Sequence, residues 1–79
     1  MVNEKLRSAA IAALAEYMGI AAEFVVDDAF VEVEKNAALN KDARLRDMYF
    51  FVCLGKQIPP SVPYAVLKQA IVRASGVKA

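Results

Sequence analysis

This 79-residue sequence has no histidine, one cysteine and only three glycines, and each scarcity removes a class of function. Without histidine the chain lacks both the commonest general base and the commonest metal ligand. A lone Cys53 allows no internal disulfide, so no bridged secreted scaffold is indicated, and the expected setting is cytoplasmic. It also lies in the most apolar stretch with no base nearby in sequence, which suits a small buried hydrophobe better than a nucleophile. Gly19, Gly55 and Gly76 are isolated, each fits a helix end, and none belongs to a phosphate-cradling loop. The longest run without charge, Gln57 to Leu67, is eleven residues and holds all three prolines, so no membrane span is expected. Lys5 and Arg7 precede the apolar run Ser8 to Ala15, but Glu16 and Glu23 follow closely, and the stretch reads as a helix of the mature protein. Among Asp27, Asp28, Glu32 and Glu34 only Asp28 and Glu32 share the four-residue helical spacing, and no calcium loop surrounds them. These absences predict a protein that is not an enzyme and needs neither cofactor nor metal.

What is present is apolar. Such residues make up 58% of the chain, above the roughly 45–50% of ordinary soluble domains. Part of the surplus is alanine, but ten Val, six Leu, four Ile, four Phe and three Met remain for packing. A chain this short buries only about 60–65% of the surface its unfolded form exposes. Leftover apolar side chains therefore point to a partner or to self-association.

Periodicity predicts an all-α fold, a compact bundle of about four short helices forming one domain over residues 1–79. Residues 3–18 place Leu6, Ala9, Ala10, Ala13, Leu14 and Tyr17 on one stripe, with Asn3 as N-cap and Gly19 as stop; Ile11 and Met18 fall off it. Residues 21–37 are ambiguous, because residues 30–34 alternate like a strand. Ala22, Val26, Ala29, Phe30, Val33 and Ala37 nevertheless form a continuous helical face, and a lone strand has no partner elsewhere, so helix is predicted. Phe24 and Val31 then stand on the acidic outer face. A turn over residues 36–42 leads through a cap at Asn40 or Asp42 into a third helix to Leu54, ended by Gly55. There Leu45, Met48, Tyr49 and Val52 share a face, while Phe50, Phe51 and Leu54 spread round the cylinder, as in a central helix. After a proline-stiffened connector, Ser61 is expected to cap a fourth helix with Pro63 in its first turn. That helix should run to Ser75, stop at Gly76, and turn Leu67, Ala70, Ile71 and Ala74 inward beside Pro63 and Tyr64.

Charge is polarised along the chain. Residues 1–39 hold three basic and seven acidic side chains, minus four, whereas residues 40–79 hold seven basic and two acidic, plus five. Two kinds of partner follow. A protein-binding regulator, adaptor or inhibitor uses the off-stripe residues Ile11, Met18, Phe24 and Val31, with charge giving orientation, and a homo-oligomer covers the same residues. A nucleic-acid-binding regulator uses the third and fourth helices as a helix-turn-helix variant, with Lys56, Lys68, Gln69 and Arg73 toward the groove. Against the latter, the connector is longer and stiffer than the usual turn, and the would-be reading helix opens with Val62, Pro63 and Tyr64 in place of polar base readers. The segment Lys56-Gln57-Ile58-Pro59-Pro60-Ser61-Val62 resembles a stretch near the C-terminus of the small haemolysin-modulating proteins that partner nucleoid-structuring factors. The resemblance covers seven residues, the chain lacks that family's histidine and tryptophan, and no residue role carries over.

Overall fold

A computed structural model describes residues 3–36 and 42–77. They form four helices, α1 (Glu4–Met18), α2 (Ala21–Glu34), α3 (Ala43–Gln57) and α4 (Tyr64–Ser75). Among the described residues there is no strand. Residues 30–34 are helical, because Phe30 and Val33 complete the buried face begun by Ala22, Val26 and Ala29. The expected extension to Ala37 and the alternative cap Asn40 lie outside the described residues.

Local chemistry sets the helix ends. The Asn3 side chain accepts from the Leu6 amide at 3.1 Å, filling one of the donors a helix start leaves open. Gly19 closes α1 at φ +62°, ψ −134°, a conformation essentially reserved for glycine, so α2 can follow after one intervening residue. The Asp42 carboxylate caps α3 through the Arg44 amide at 2.9 Å, and Gly76 ends α4. The start of α4 differs from expectation. The Val62 amide bonds the Pro59 carbonyl at 3.0 Å, which places Ser61 inside a tight turn. Pro63 then stays extended at ψ 95° and occupies the cap position without a side-chain bond. Ile58 and Val62 are buried and pin this connector to the core.

The helices pack α3 on α2, α2 on α1, and α1 on α4. α3 and α4, neighbours in sequence, make no comparably extensive backbone approach, so the fourth seam of the bundle stays partly open. The core is built from Leu6, Leu14, Val26, Leu54, Leu67 and Ile71 around three aromatic rings. Phe30 and Phe50 stack with centroids 4.3 Å apart, and Phe50 meets Phe51 edge-on at 5.5 Å, both favourable ring geometries.

The structure refines or corrects expectations for α3, α4 and α1. In α3 the buried side is Phe50, Phe51, Cys53 and Leu54, while Leu45, Met48 and Val52 face out at 45%, 46% and 49% exposure. Both sets have helical spacing, and the bulkier aromatic set fills the core. Gly55 does not end α3, which continues to Gln57. A Cβ at Gly55 would lie 3.1 Å from the Tyr64 ring, so glycine serves there to let that ring approach the helix. In α4 the buried positions are Leu67, Ile71 and Ser75, whereas Ala70 and Ala74 are exposed. Packing chiefly on α1, α4 needs only this narrow stripe. Tyr17, expected on the inner stripe of α1, is 46% exposed.

Candidate protein-binding surface

The open seam forms a cleft of about 330 Å³ lined by Leu45, Met48, Tyr49, Phe51 and Val52 of α3 and by Tyr64 and Lys68 of α4. The wall is mainly apolar. The Tyr64 hydroxyl donates to the Phe51 carbonyl at 2.9 Å, tethering α4 across the seam, and burial pushes its pKa up. Lys68 Nζ lies 5.6 Å from the Phe51 ring centroid, within cation–π range. Arg44 stands one helical turn before Met48, so the cleft has an apolar floor with Lys68 in its lining and Arg44 at one end.

The outward face of α2 is a second apolar patch. Ile20 and Phe24 are 92% and 71% exposed, and Val31 is about half exposed. Helical spacing places Glu23, Asp27, Asp28 and Glu32 beside these residues. Arg7 of α1 reaches this border, with Nε 2.8 Å from Asp27 Oδ1 and an amino group 3.2 Å from Oδ2. A further contact of 3.4 Å runs to Glu23. The fork–fork hydrogen bonds from Arg7 hold the Asp27 carboxyl below the usual aspartate range. Near the N-terminus of α1, burial raises the Asp47 pKa, against opposing effects of Arg46 and the Asn3 side chain.

No family model, curated protein or solved structure matches this chain.

The residues singled out in sequence fall into distinct places. Phe24 and Val31 are exposed together on α2, at i and i+7. Ile11 and Met18 are partly buried and pack against the core, so they add little free surface. Lys68, Gln69 and Arg73 gather with Tyr64, Ala65 and Val72 around a depression of about 470 Å³. Lys56 instead lines a separate hollow of about 280 Å³ with Glu32, Tyr49, Cys53 and Gln57, and is not grouped with the other three. Cys53 is buried, and desolvation raises its pKa above the ordinary thiol value despite Tyr49 and Lys56. The thiol is thus overwhelmingly protonated at neutral pH and a weak nucleophile. Among the described residues no group of three His, Cys, Asp or Glu is placed to hold a metal ion, and no helix is long and apolar enough to cross a membrane.

Sequence reasoning missed Ile20 and the triad Leu45, Met48 and Val52. The signal for the triad was available: its i, i+3, i+7 spacing continues to Lys56, and a basic residue at i+11 marks an outward stripe. The opposite side was already filled by Phe50, Phe51 and Leu54.

Proposed function

We propose that this protein is a non-enzymatic protein-binding module, a small regulator or adaptor, whose recognition site is the α3/α4 cleft. The observation that carries this reading is the triad Leu45, Met48 and Val52, held half in solvent along one face of α3 beside a seam the bundle leaves open. Exposed apolar groups in a row, rimmed by charge, are what helix-in-groove recognition requires, with anchors of the incoming helix at i, i+3 or i+4, and i+7. The basic groups Arg44 and Lys68 select an amphipathic helix with acidic flanks, through orientation and encounter rate more than raw affinity. A cytoplasmic setting is part of this reading, since a chain with one cysteine carries no internal disulfide.

The test is capture from the native cell with the wild-type chain and with Met48→Asp and Val52→Asp, each first checked for unchanged helicity. A partner retained by wild type and lost by both variants supports the cleft. A partner held equally by all three overturns it.

A second reading, nucleic-acid binding, is favoured by the gathering of Lys68, Gln69 and Arg73 on α4. It predicts duplex or single-strand binding at low salt that falls steeply as salt rises and disappears in Lys68→Glu/Arg73→Glu. No shift at low salt removes it.

A further inference from the structure

Two apolar stripes project from this bundle, and they match. At the start of α2 and along it, Ile20, Phe24 and Val31 stand outward among acidic residues; on α3, Leu45, Met48 and Val52 stand outward near Arg44, Arg46 and Asp47, with Lys68 of α4 lining the same cleft. Phe24 and Val31, like Leu45 and Val52, lie seven positions apart, about 10.5 Å along a helix axis. Phe24 and Val31 thus match Leu45 and Val52 in spacing, while Ile20 extends the α2 stripe by a further turn. A cavity of roughly 150 Å³ already accepts benzene, so a cleft of about 330 Å³ has room for the Phe24 ring with neighbouring atoms to spare.

From this complementarity we infer that the occupant of the α3/α4 cleft is the α2 stripe of a second copy of this chain, which associates head-to-tail. The inference rests on the cleft being a recognition site, as proposed above, and adds who fills it. α2 contributes no residue to the cleft of its own molecule, so each docking leaves one stripe and one cleft unused. In the head-to-tail arrangement further copies take these up, giving a ring or an open string, whereas a reciprocal two-fold pair would stop at two chains.

The Arg7 contacts bear on how the stripe is presented. By engaging Asp27 and Glu23, Arg7 partly neutralises one flank of the stripe. Asp28, one turn after Phe24, is exposed and supplies the acidic flank toward Arg44 and Lys68 of the receiving copy, whereas Glu32 shares a hollow with Lys56 of its own chain. Phe24 is the anchor, since an exposed aromatic entering a desolvated pocket is the usual source of interface affinity.

The experiment measures molar mass by sedimentation and light scattering across a concentration series from micromolar to about 1 mM. The samples are wild type, Phe24→Asp, Met48→Asp and an equimolar mixture of the two variants. Both substituted side chains are well exposed, and circular dichroism checks each fold, with Val52→Asp replacing Met48→Asp should the latter lose helicity. Wild type is expected to grow past two chains, and at least tenfold more weakly at 500 mM than at 50 mM salt, where charge attraction is screened. Each variant alone is expected to be monomeric. Their mixture should form a species of two chains and no larger, because Phe24→Asp keeps its cleft and Met48→Asp keeps its stripe. A wild type that stays monomeric throughout overturns self-association while leaving the cleft open to a foreign partner, which the capture experiment reads separately. A wild type that stops at two chains, a single variant that still associates, or a mixture that remains monomeric overturns the head-to-tail contact.

Discussion

The close approach of Tyr64 to Gly55 makes a quantitative prediction through a double-mutant cycle. Gly55 lies inside α3, where glycine costs up to about 1 kcal/mol relative to alanine, so Gly55→Ala should by propensity stabilise the protein. The added Cβ, however, meets Tyr64 Cε1 at 3.1 Å, inside the roughly 3.5–4.0 Å optimum for carbon contacts. The ring is not free to yield, because its hydroxyl is tied to the Phe51 carbonyl. Overpacking of this kind costs about 1 kcal/mol or more, so in the wild-type background Gly55→Ala should be neutral or destabilising. Tyr64→Ala removes the obstacle. It should itself cost about 2 kcal/mol, below the roughly 3–5 kcal/mol of a fully buried aromatic because this ring is half-buried. A 79-residue domain with a total stability of about 4–12 kcal/mol tolerates that loss. In the Tyr64→Ala background the helix gain should appear in full, giving a coupling of about 1–2 kcal/mol between the sites. Tyr64→Phe isolates the tether and should cost about 1 kcal/mol for its hydrogen bond, seen as a fall in melting temperature of about 4–8 °C. Urea denaturation followed by circular dichroism, with midpoints and slopes fitted for all variants, reads every leg. If Gly55→Ala changes stability equally in both backgrounds, to within about 0.5 kcal/mol, the ring does not rest on Gly55 and the account of the seam fails.

Three other perturbations have defined outcomes. Phe50→Ala removes the ring stacked on Phe30 and should cost about 3–5 kcal/mol, most of the stability; a small shift in urea midpoint would contradict a core centred on these rings. The two perturbed aspartates should respond to pH with opposite signs. Asp27 has a lowered folded pKa, so its contribution is present above the ordinary value near 3.8 and is lost as pH falls through the lower folded value. Asp47 has a raised folded pKa, so ionising it costs stability as pH rises from 3.8 through the folded value. Asp27→Asn should therefore lower the melting temperature at pH 7 and Asp47→Asn should raise it, with each effect fading once pH falls below both the folded and the unfolded value, and matching signs at pH 7 refute the assignment. Cys53 should react with a thiol reagent at pH 8 far more slowly in the folded protein than in urea, and equal rates would show it is not buried.

The four helices were readable in sequence because their ends carry independent chemistry. Asn3 and Asp42 offer short polar caps, and Gly19 and Gly76 follow the last apolar residues of their stripes. Helix in place of strand at residues 30–34 was also readable, since an unpaired strand leaves its backbone unsatisfied. The inner face of α3 was not. A helix apolar on most sides offers two stripes with equal periodicity, and only the volume available between α2 and α4 decides between Leu45–Met48–Val52 and Phe50–Phe51–Leu54. Gly55 was misread as a stop for a related reason. The ring that requires it comes from Tyr64, nine residues away, across a connector whose path has no local signature. Of the candidate site, Phe24 and Val31 were legible as residues off the buried stripe of α2. Ile11 and Met18 were equally off the stripe of α1 but were reclaimed by packing. The cleft could not be seen, because a helix apolar on most sides does not reveal which of its stripes stays uncovered.

The order in which the helices pack also constrains synthesis. α1 is made first, yet one of its two main neighbours is α4, which leaves the ribosome last of the four. Until then the α1 side that meets Leu67 and Ile71 has nothing from its own chain to lie against, and only the α1–α2–α3 row can assemble. The nascent chain therefore passes through a stage in which an apolar strip of α1 stands uncovered, the kind of exposure that invites aggregation and recruits chaperones.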